Sequence, residues 1–215
     1  MKKLVVLGGG ESGIGAAALA KHNNWDVFVS DAGILTPLAK KEFEAIGVRY
    51  EEGGHTMNEI LKAELVVKSP GIPNTVAVIK GIEAAEISIV SEIEFASNYT
   101  DATLIGITGS NGKTTTAMLT YHLLSDGGID TGLAGNIGNS FAQALLQDKH
   151  DVYVLEISSF QLEHIKKFHP HIAVITNLSP DHLDRYNNSF KDYCATKFKI
   201  TKNQTEVDHL LYEAD

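Results

Sequence analysis

Gly106-Ile107-Thr108-Gly109-Ser110-Asn111-Gly112-Lys113-Thr114-Thr115 is a run of residues suited to handling phosphate. It follows an apolar stretch, Thr103-Leu104-Ile105, and precedes a helix-like one from Thr116 to Leu124. Glycines let backbone N–H groups converge on an anion, and the helix that follows turns its positive end toward it. In such a loop Lys113 reaches the β- and γ-phosphates and the Thr114 hydroxyl reaches Mg2+. The common phosphate loop, G-x-x-x-x-G-K-[ST], has its first glycine where Ile107 stands, so this loop is a variant. The pattern predicts ATP-type binding on Gly109, Ser110, Asn111, Gly112, Lys113, Thr114 and Thr115. The alternative is an ordinary strand–helix turn with an exposed lysine.

Two later segments carry the groups such a site needs. Val152–Ile157 reads as a strand with Glu156 near its carboxyl end. Ile172–Asn177 reads as another, running into Leu178-Ser179-Pro180-Asp181-His182-Leu183-Asp184-Arg185-Tyr186. Parallel strands deliver their carboxyl ends to one edge, so Glu156 is expected beside Thr114 as a Mg2+ ligand. His182 is expected at a second metal or at the reacting group. Mg2+ keeps waters and substrate phosphates, so one carboxylate and one hydroxyl suffice. The competing account leaves Glu156 in solvent, Asp181 capping a helix and Asp184 and Arg185 in water. His22, His55, His122, His150 and His209 read as surface residues without partners.

A second glycine loop lies near the start. Gly8-Gly9-Gly10-Glu11-Ser12-Gly13 matches G-x-G-x-x-G, and Asp31 ends the next strand, where a ribose-binding acid would sit. Gly10, Glu11, Ser12, Gly13 and Asp31 are therefore candidates to hold NAD or another nucleotide diphosphate. A tight turn with no ligand is the alternative. Ser69, Pro70 and Gly71 follow a further strand and would face the same crevice.

These groups require a framework of alternating strands and helices, and the pattern supplies one. Strands are expected at 4–7, 26–30, 48–50, 65–68 and 87–90, with helices at 13–22, 37–46 and 76–85. After a short helical piece at 92–96 and the polar connector Ser97–Asp101 the pattern restarts. Strands then fall near 103–108, 129–134, 152–157 and 172–177, and helices near 114–126, 139–147, 159–167 and 190–200. The expectation is an α/β protein: a Rossmann-like domain over residues 1–97, then a P-loop-type parallel α/β ATPase domain over 98–215. Residues 201–215 are polar and show no closing element, which predicts a truncated second domain.

Composition fits this class. The chain has 215 residues, 43% hydrophobic and 21% charged, enough for a real core. A net charge of −9 argues against general nucleic-acid binding, which needs a basic face. The single cysteine, Cys194, excludes an internal disulfide and a cysteine-rich metal site. The apolar run after Lys3 is too short for a signal peptide, and no stretch approaches membrane-span length. The expected location is the cytoplasm.

Taken together, Thr108–Thr115, Gly135-Asn136-Ile137-Gly138, Glu156–Glu163 and Asn177–Tyr186 resemble the motifs of the Mur ligases of peptidoglycan synthesis, in order. The resemblance runs from Leu4 to about Ile200, and the variant loop spacing is the form this family uses. It implies a UDP-substrate domain, an ATPase domain and a third domain that is missing from this chain. Such a piece is expected to be nearly inactive alone. Ser158–Glu163 looks like the branch that adds D-glutamate, which implies UDP-N-acetylmuramoyl-L-alanine and D-glutamate as partners, ATP and Mg2+ as cofactors, and a monomer. Carried over by residue, Lys113, His182 and Lys197 are catalytic, and Thr114, Glu156, His182 and Lys197 surround metal. Lys197 matches the lysine that this family carbamylates. Asn136 would contact the muramoyl-alanine or the phosphate region, and His182 the substrate. Gly10–Gly13, Asp31 and Ser69–Gly71 would face UDP, although Ala32-Gly33 stand where larger polar side chains are expected.

Overall fold

The computed structural model describes residues 1–213, and within them the expected two parallel α/β sheets are present. The first is built from β1 (Lys3–Leu7), α1 (Glu11–His22), β2 (Asp26–Ser30), α2 (Pro37–Ala45), β3 (Arg49–Glu51), α3 (Met57–Ile60), β4 (Leu65–Lys68), α4 (Ala77–Ala84) and β5 (Ser88–Val90). Its order is β3-β2-β1-β4-β5, all parallel. β1 is central because Leu4 through Leu7 are fully buried, alternately serving two clusters on opposite faces. The order reverses direction at β1, which opens a crevice beyond the ends of β1 and β4. The first glycine loop and the Ser69–Gly71 turn leave from those two ends.

After α5 (Glu92–Ser97) come β6 (Thr103–Thr108), α6 (Lys113–Asp126), β7 (Thr131–Gly135), α7 (Phe141–Gln147), β8 (Val152–Glu156), α8 (Ser159–Leu162), β9 (Ile172–Ile175), α9 (Phe190–Phe198) and β10 (His209–Tyr212). The order β10-β9-β6-β8-β7 is parallel throughout and puts β6 at the centre. The phosphate loop, Glu156 and the segment after β9 therefore leave one edge of the sheet.

Three expectations change. The helix expected over 159–167 stops at Leu162, although a Ser158–Gln161 capping box starts it. The N–H groups of Lys166, Lys167 and Phe168 instead donate to the buried Glu94 carboxylate of α5. Residues 201–215, read as lacking any element, contain β10; Ala214 and Asp215 lie outside the described residues. β10 is exposed along its length and so carries little apolar signal. It is fixed by the His169–Asp208 pair and by the Gln204 amide, which donates to the carbonyls of Pro170 and His209. The one-turn helix α3 is too short to show a period.

The two sheets share one apolar cluster, which runs from Leu4 and Ala16 to Phe141 and Leu155. Where α1 crosses α7, a Cβ on Gly15 would lie 2.1 Å from the Ser140 hydroxyl. Trp25 donates to the Tyr99 hydroxyl at 2.8 Å across the same junction.

Candidate functional site

The phosphate loop needs glycine at two positions for physical reasons. Gly109 has φ +146°, and a Cβ there would sit 1.9 Å from the Thr176 hydroxyl. Gly112 caps α6 in the left-handed region at φ +79°. The loop is stitched to the exit of β9. Ser110 N–H donates to the Asn177 carbonyl (3.0 Å), and the Ser110 hydroxyl donates to the Ser179 carbonyl while accepting the Ser179 N–H. Asn111 N–H donates to Asn177 Oδ1, and Thr176 Oγ1 donates to the Asn111 carbonyl at 2.6 Å. The first-turn N–H groups of α6 have no intrahelical acceptor and point at the loop's mouth. Lys113 lies across the loop, donating to the Ser110 carbonyl at 3.0 Å.

Glu156 is buried at the end of β8. One of its oxygens accepts the Thr114 hydroxyl at 2.7 Å and the other accepts the Asn136 amide at 2.9 Å. A Cβ at Gly135 would meet the Glu156 carbonyl at 2.2 Å, so glycine there lets the Asn136 loop close in. A hydroxyl and a carboxylate that already converge are a donor set suited to Mg2+, which takes hard oxygens and keeps its waters. Lys197 is buried beneath the loop, donating to the Gly109 carbonyl at 2.7 Å with the Tyr193 ring 4.8 Å from its nitrogen. Burial, and then the nearby Lys113 charge, lower its pKa to about 8.

His182 stands apart. It has φ +48°, is mostly exposed, and lies with its ring tilted against Phe160, centroids 5.3 Å apart, with Asp181 3.6 Å away. The structure thus brings Thr114, Glu156 and Asn136 together, sets Lys197 at Gly109, and shows neither His182 nor Lys197 bonded to Glu156. Among the described residues no group of three His, Cys, Asp or Glu side chains is gathered as a metal cage.

At the first glycine loop, Gly8 has φ +91°, and a Cβ on Gly13 would lie 1.9 Å from the Gly8 carbonyl. Asp31 holds the loop directly: one oxygen accepts Gly9 N–H at 2.7 Å and the other accepts Gly33 N–H at 2.8 Å. Gly10 is different. A Cβ there would meet nothing within 4 Å, so open space lies before the start of α1, with Glu11 and Ser12 on its first turn. Beside it is a largely apolar cavity of about 360 Å³ whose lining includes Gly8, Asp31, Ala32, His55, Gly71 and Ile72. Ser69 borders Gly8, donating weakly to its carbonyl at 3.4 Å.

Sequence reasoning missed several residues here. His55, expected on the surface, bonds the Ser30 hydroxyl at 2.7 Å and lines the cavity. His150, also expected partnerless, pairs with Asp130 at 2.6 Å. Lys68, Glu163 and Arg185 form a charged cluster between the two sheets' loops, with Lys68 and Arg185 each 3.8 Å from Glu163. Burial lowers the Lys68 pKa to about 8 against the pull of Glu163. Glu163 and Arg185 fall within the motifs quoted above, but nothing local shows that they pair with each other and with Lys68, because the partners are distant in sequence.

Residues 107–215 match the family model described as the Mur ligase middle domain, and residues 3–78 match the MurD N-terminal domain. A UDP-N-acetylmuramoylalanine–D-glutamate ligase of Christiangramia forsetii is 53% identical over all of this chain, which covers 48% of that relative. The Bacteroides fragilis protein of the same name is 51% identical, again with 48% of its length covered. The chain spans about half the length of the curated relatives it matches. Among solved structures, a UDP-N-acetylmuramate:L-alanyl-gamma-D-glutamyl-meso-diaminopimelate ligase from Neisseria superposes with a TM-score of 0.66 at 21% identity, over all of this chain and 72% of its own. A UDP-N-acetylmuramate–alanine ligase from Thermotoga maritima gives 0.61 at 22%, over all of this chain and 49% of its own. At those identities the superpositions establish the fold.

Proposed function

The chain belongs to the Mur ligase family, and from that premise we propose that it carries the UDP-substrate and ATP-phosphate sites of a ligase joining D-glutamate to UDP-N-acetylmuramoyl-L-alanine. The observation that carries this is the meeting of Thr114, Asn136 and Glu156 at the mouth of the phosphate loop. The names of the relatives that match along the whole chain supply the substrates. The division we adopt is residues 1–97 for the UDP substrate and 98–215 for ATP. Among the described residues no helix is long and apolar enough to cross a membrane. We place the enzyme in the cytoplasm, as a monomer.

In this reading the alanyl carboxylate attacks the γ-phosphorus of ATP, the bond to the β–γ bridging oxygen breaks, and ADP leaves. The amine of D-glutamate then attacks the acyl carbon, inorganic phosphate departs and the amine loses a proton. Gly109–Thr115 hold the phosphates, and Lys113 neutralises charge that builds on the transferring group. Mg2+, when held by Thr114 and Glu156, supplies further neutralisation of that charge. Asn136 orients the Glu156 carboxylate, and His182 is assigned to the muramoyl-alanine side and a second cation. A lysine with pKa near 8 keeps a neutral fraction at physiological pH. That neutral amine adds to CO2 and releases a proton, which makes Lys197 a carbamate and an anionic ligand. Gly10–Gly13, Asp31 and Ser69–Gly71 face UDP, with His55 at the apolar cavity.

The deciding assay uses a protein of the relatives' full length that contains this chain. Phosphate release is expected to require both UDP-N-acetylmuramoyl-L-alanine and D-glutamate. Equal stimulation by L-alanine or L-lysine overturns the assignment. On the 215-residue chain itself, UDP is expected to bind where NAD does not; the reverse would make the first loop a dinucleotide site.

A further inference from the structure

The Arg185 side chain comes from the segment after β9 and reaches into the other unit. Its guanidinium spreads over the carbonyls of Pro70, Gly71 and Ile72 at 3.3 to 3.5 Å. It lies 4.5 Å from the centre of the Phe160 ring, within cation–π distance. Glu163, nearly buried, balances it from 3.8 Å and also faces Lys68 at the same distance. Lys68 in turn donates to the Ile72 carbonyl at 2.7 Å, and Asn74 donates to Glu163 at 3.0 Å. The turn over 69–73 is thus held by charged groups from both units.

These contacts join two chains of bonds. On one side Ser69, at the head of the turn, touches Gly8 of the first glycine loop. On the other, the segment bearing Arg185 begins at Asn177 and Ser179, which hold Ser110 and Asn111 of the phosphate loop. His182 lies three residues before Arg185 on that segment. Hydrogen bonds at each end, joined by the backbone of residues 69–72 and 179–185, therefore link Gly8 to Ser110 through Arg185. Such a link transmits coupling where it has two arrangements and each ligand favours the same one.

We propose that Arg185, braced by Glu163, is a positioning residue that couples the two ligand sites: it sets the substrate turn of the first unit against the phosphate loop of the second, so that each occupied site favours the other. The inference rests on the reading above that the first site takes UDP and the second ATP. Arg185 touches neither ligand and acts through the carbonyls it holds.

Isothermal titration of UDP into the 215-residue chain, with and without saturating Mg·ATP, tests it. Mg·ATP is expected to tighten UDP by about fivefold or more, the lower end of ordinary coupling, and UDP to tighten Mg·ATP by the same factor. In Arg185→Ala each ligand alone is expected to bind within about threefold of the unaltered chain, while the coupling ratio falls to about one. Arg185→Lys, which keeps the charge beside Glu163 but not the planar fork, is expected to stay folded and to lose most of the coupling. A coupling ratio unchanged in Arg185→Lys overturns the proposal. So does an unaltered chain that binds both ligands independently. A chain that binds neither UDP nor Mg·ATP overturns the underlying site assignment instead.

Discussion

The two glycine loops begin from the same grammar of strand, loop and helix, yet the fold uses them differently. The helix behind the first, α1, is wedged between its sheet and α7, with Gly13, Gly15, Ala16, Ala17, Leu19 and Ala20 all buried. The helix behind the second, α6, buries only Ala117 and leaves Met118, Leu119 and Leu123 exposed. The first loop is held by one carboxylate, Asp31, whereas the second is stitched to β9 by Asn177, Ser179 and Thr176. A loop whose Gly9 N–H is tied to an acid can receive a nucleotide mainly through its open side at Gly10. A loop braced from behind can keep its mouth and its lysine for phosphate. The two loops share a motif, and the bracing is what sets them apart.

That contrast breaks most sharply at glycine. Gly109→Ala forces a side chain into φ +146° and into the Thr176 hydroxyl, so a loss of about 3 kcal/mol or more in urea unfolding is expected, with Mg·ATP binding abolished. Retention of wild-type stability would show that the loop relaxes and is not held from behind. Next comes Lys113→Ala, which removes the charge-assisted contact to phosphate proposed above. Titration should show Mg·ATP weakened about 10- to 100-fold with UDP affinity unchanged. A matching loss of UDP affinity would mean that the two loops are not separate sites.

Glu92 gives a smaller effect with a defined pH signature. It is fully buried where α5 meets α7, donates nothing, accepts the Ala142 N–H, and leaves Oε2 without a partner among the described residues. Burial raises its pKa from 4.5 to about 7, with Glu11 adding to the effect. Below pH 4.5 it is protonated in both folded and unfolded chains, and ionisation costs nothing. Between 4.5 and 7 only the folded chain keeps the proton, so stability falls as pH rises, and above 7 the cost is complete. Glu92→Gln is expected to stabilise the chain by roughly 1–3 kcal/mol at pH 8 and to flatten that slope. Thermal melts across pH 4 to 8 check it; an unchanged slope assigns the pH dependence elsewhere. The smallest expected change in stability is that of Gly10→Ala, within about 0.5 kcal/mol, because the space there is open. UDP affinity should nevertheless drop about tenfold if the diphosphate lies against that backbone.

Much of this was legible along the chain. β1, β2, β4, β6, β8 and β9 are short apolar runs that a buried parallel sheet requires. Thr114 and Glu156 were readable as partners because strands of one parallel sheet end at one edge. β10 was not legible, since all four of its residues are exposed and it is held by side-chain contacts with residues 169 and 170. The early end of α8 depends on Glu94, some seventy positions earlier in the chain. His55 looked like a solvent-facing residue, and Arg185 showed no partner along the chain, because their partners, Ser30 and the 70–72 carbonyls, lie on other elements.

By itself the sequence determined the alternation of elements and the two glycine loops, because periodicity and glycine placement are local properties of the backbone. The phosphate loop's odd spacing, with Ile107 in place of glycine, was likewise readable, and it pointed to the family that the matches over residues 3–78 and 107–215 establish. Only the tertiary structure decided that Asp31 braces its own loop, that Lys197 is buried beneath Gly109, and that Arg185 spans the two units. The reason is physical: desolvation and ion pairing depend on which distant groups the packed sheets bring within a few ångströms, and no spacing along the chain encodes that distance.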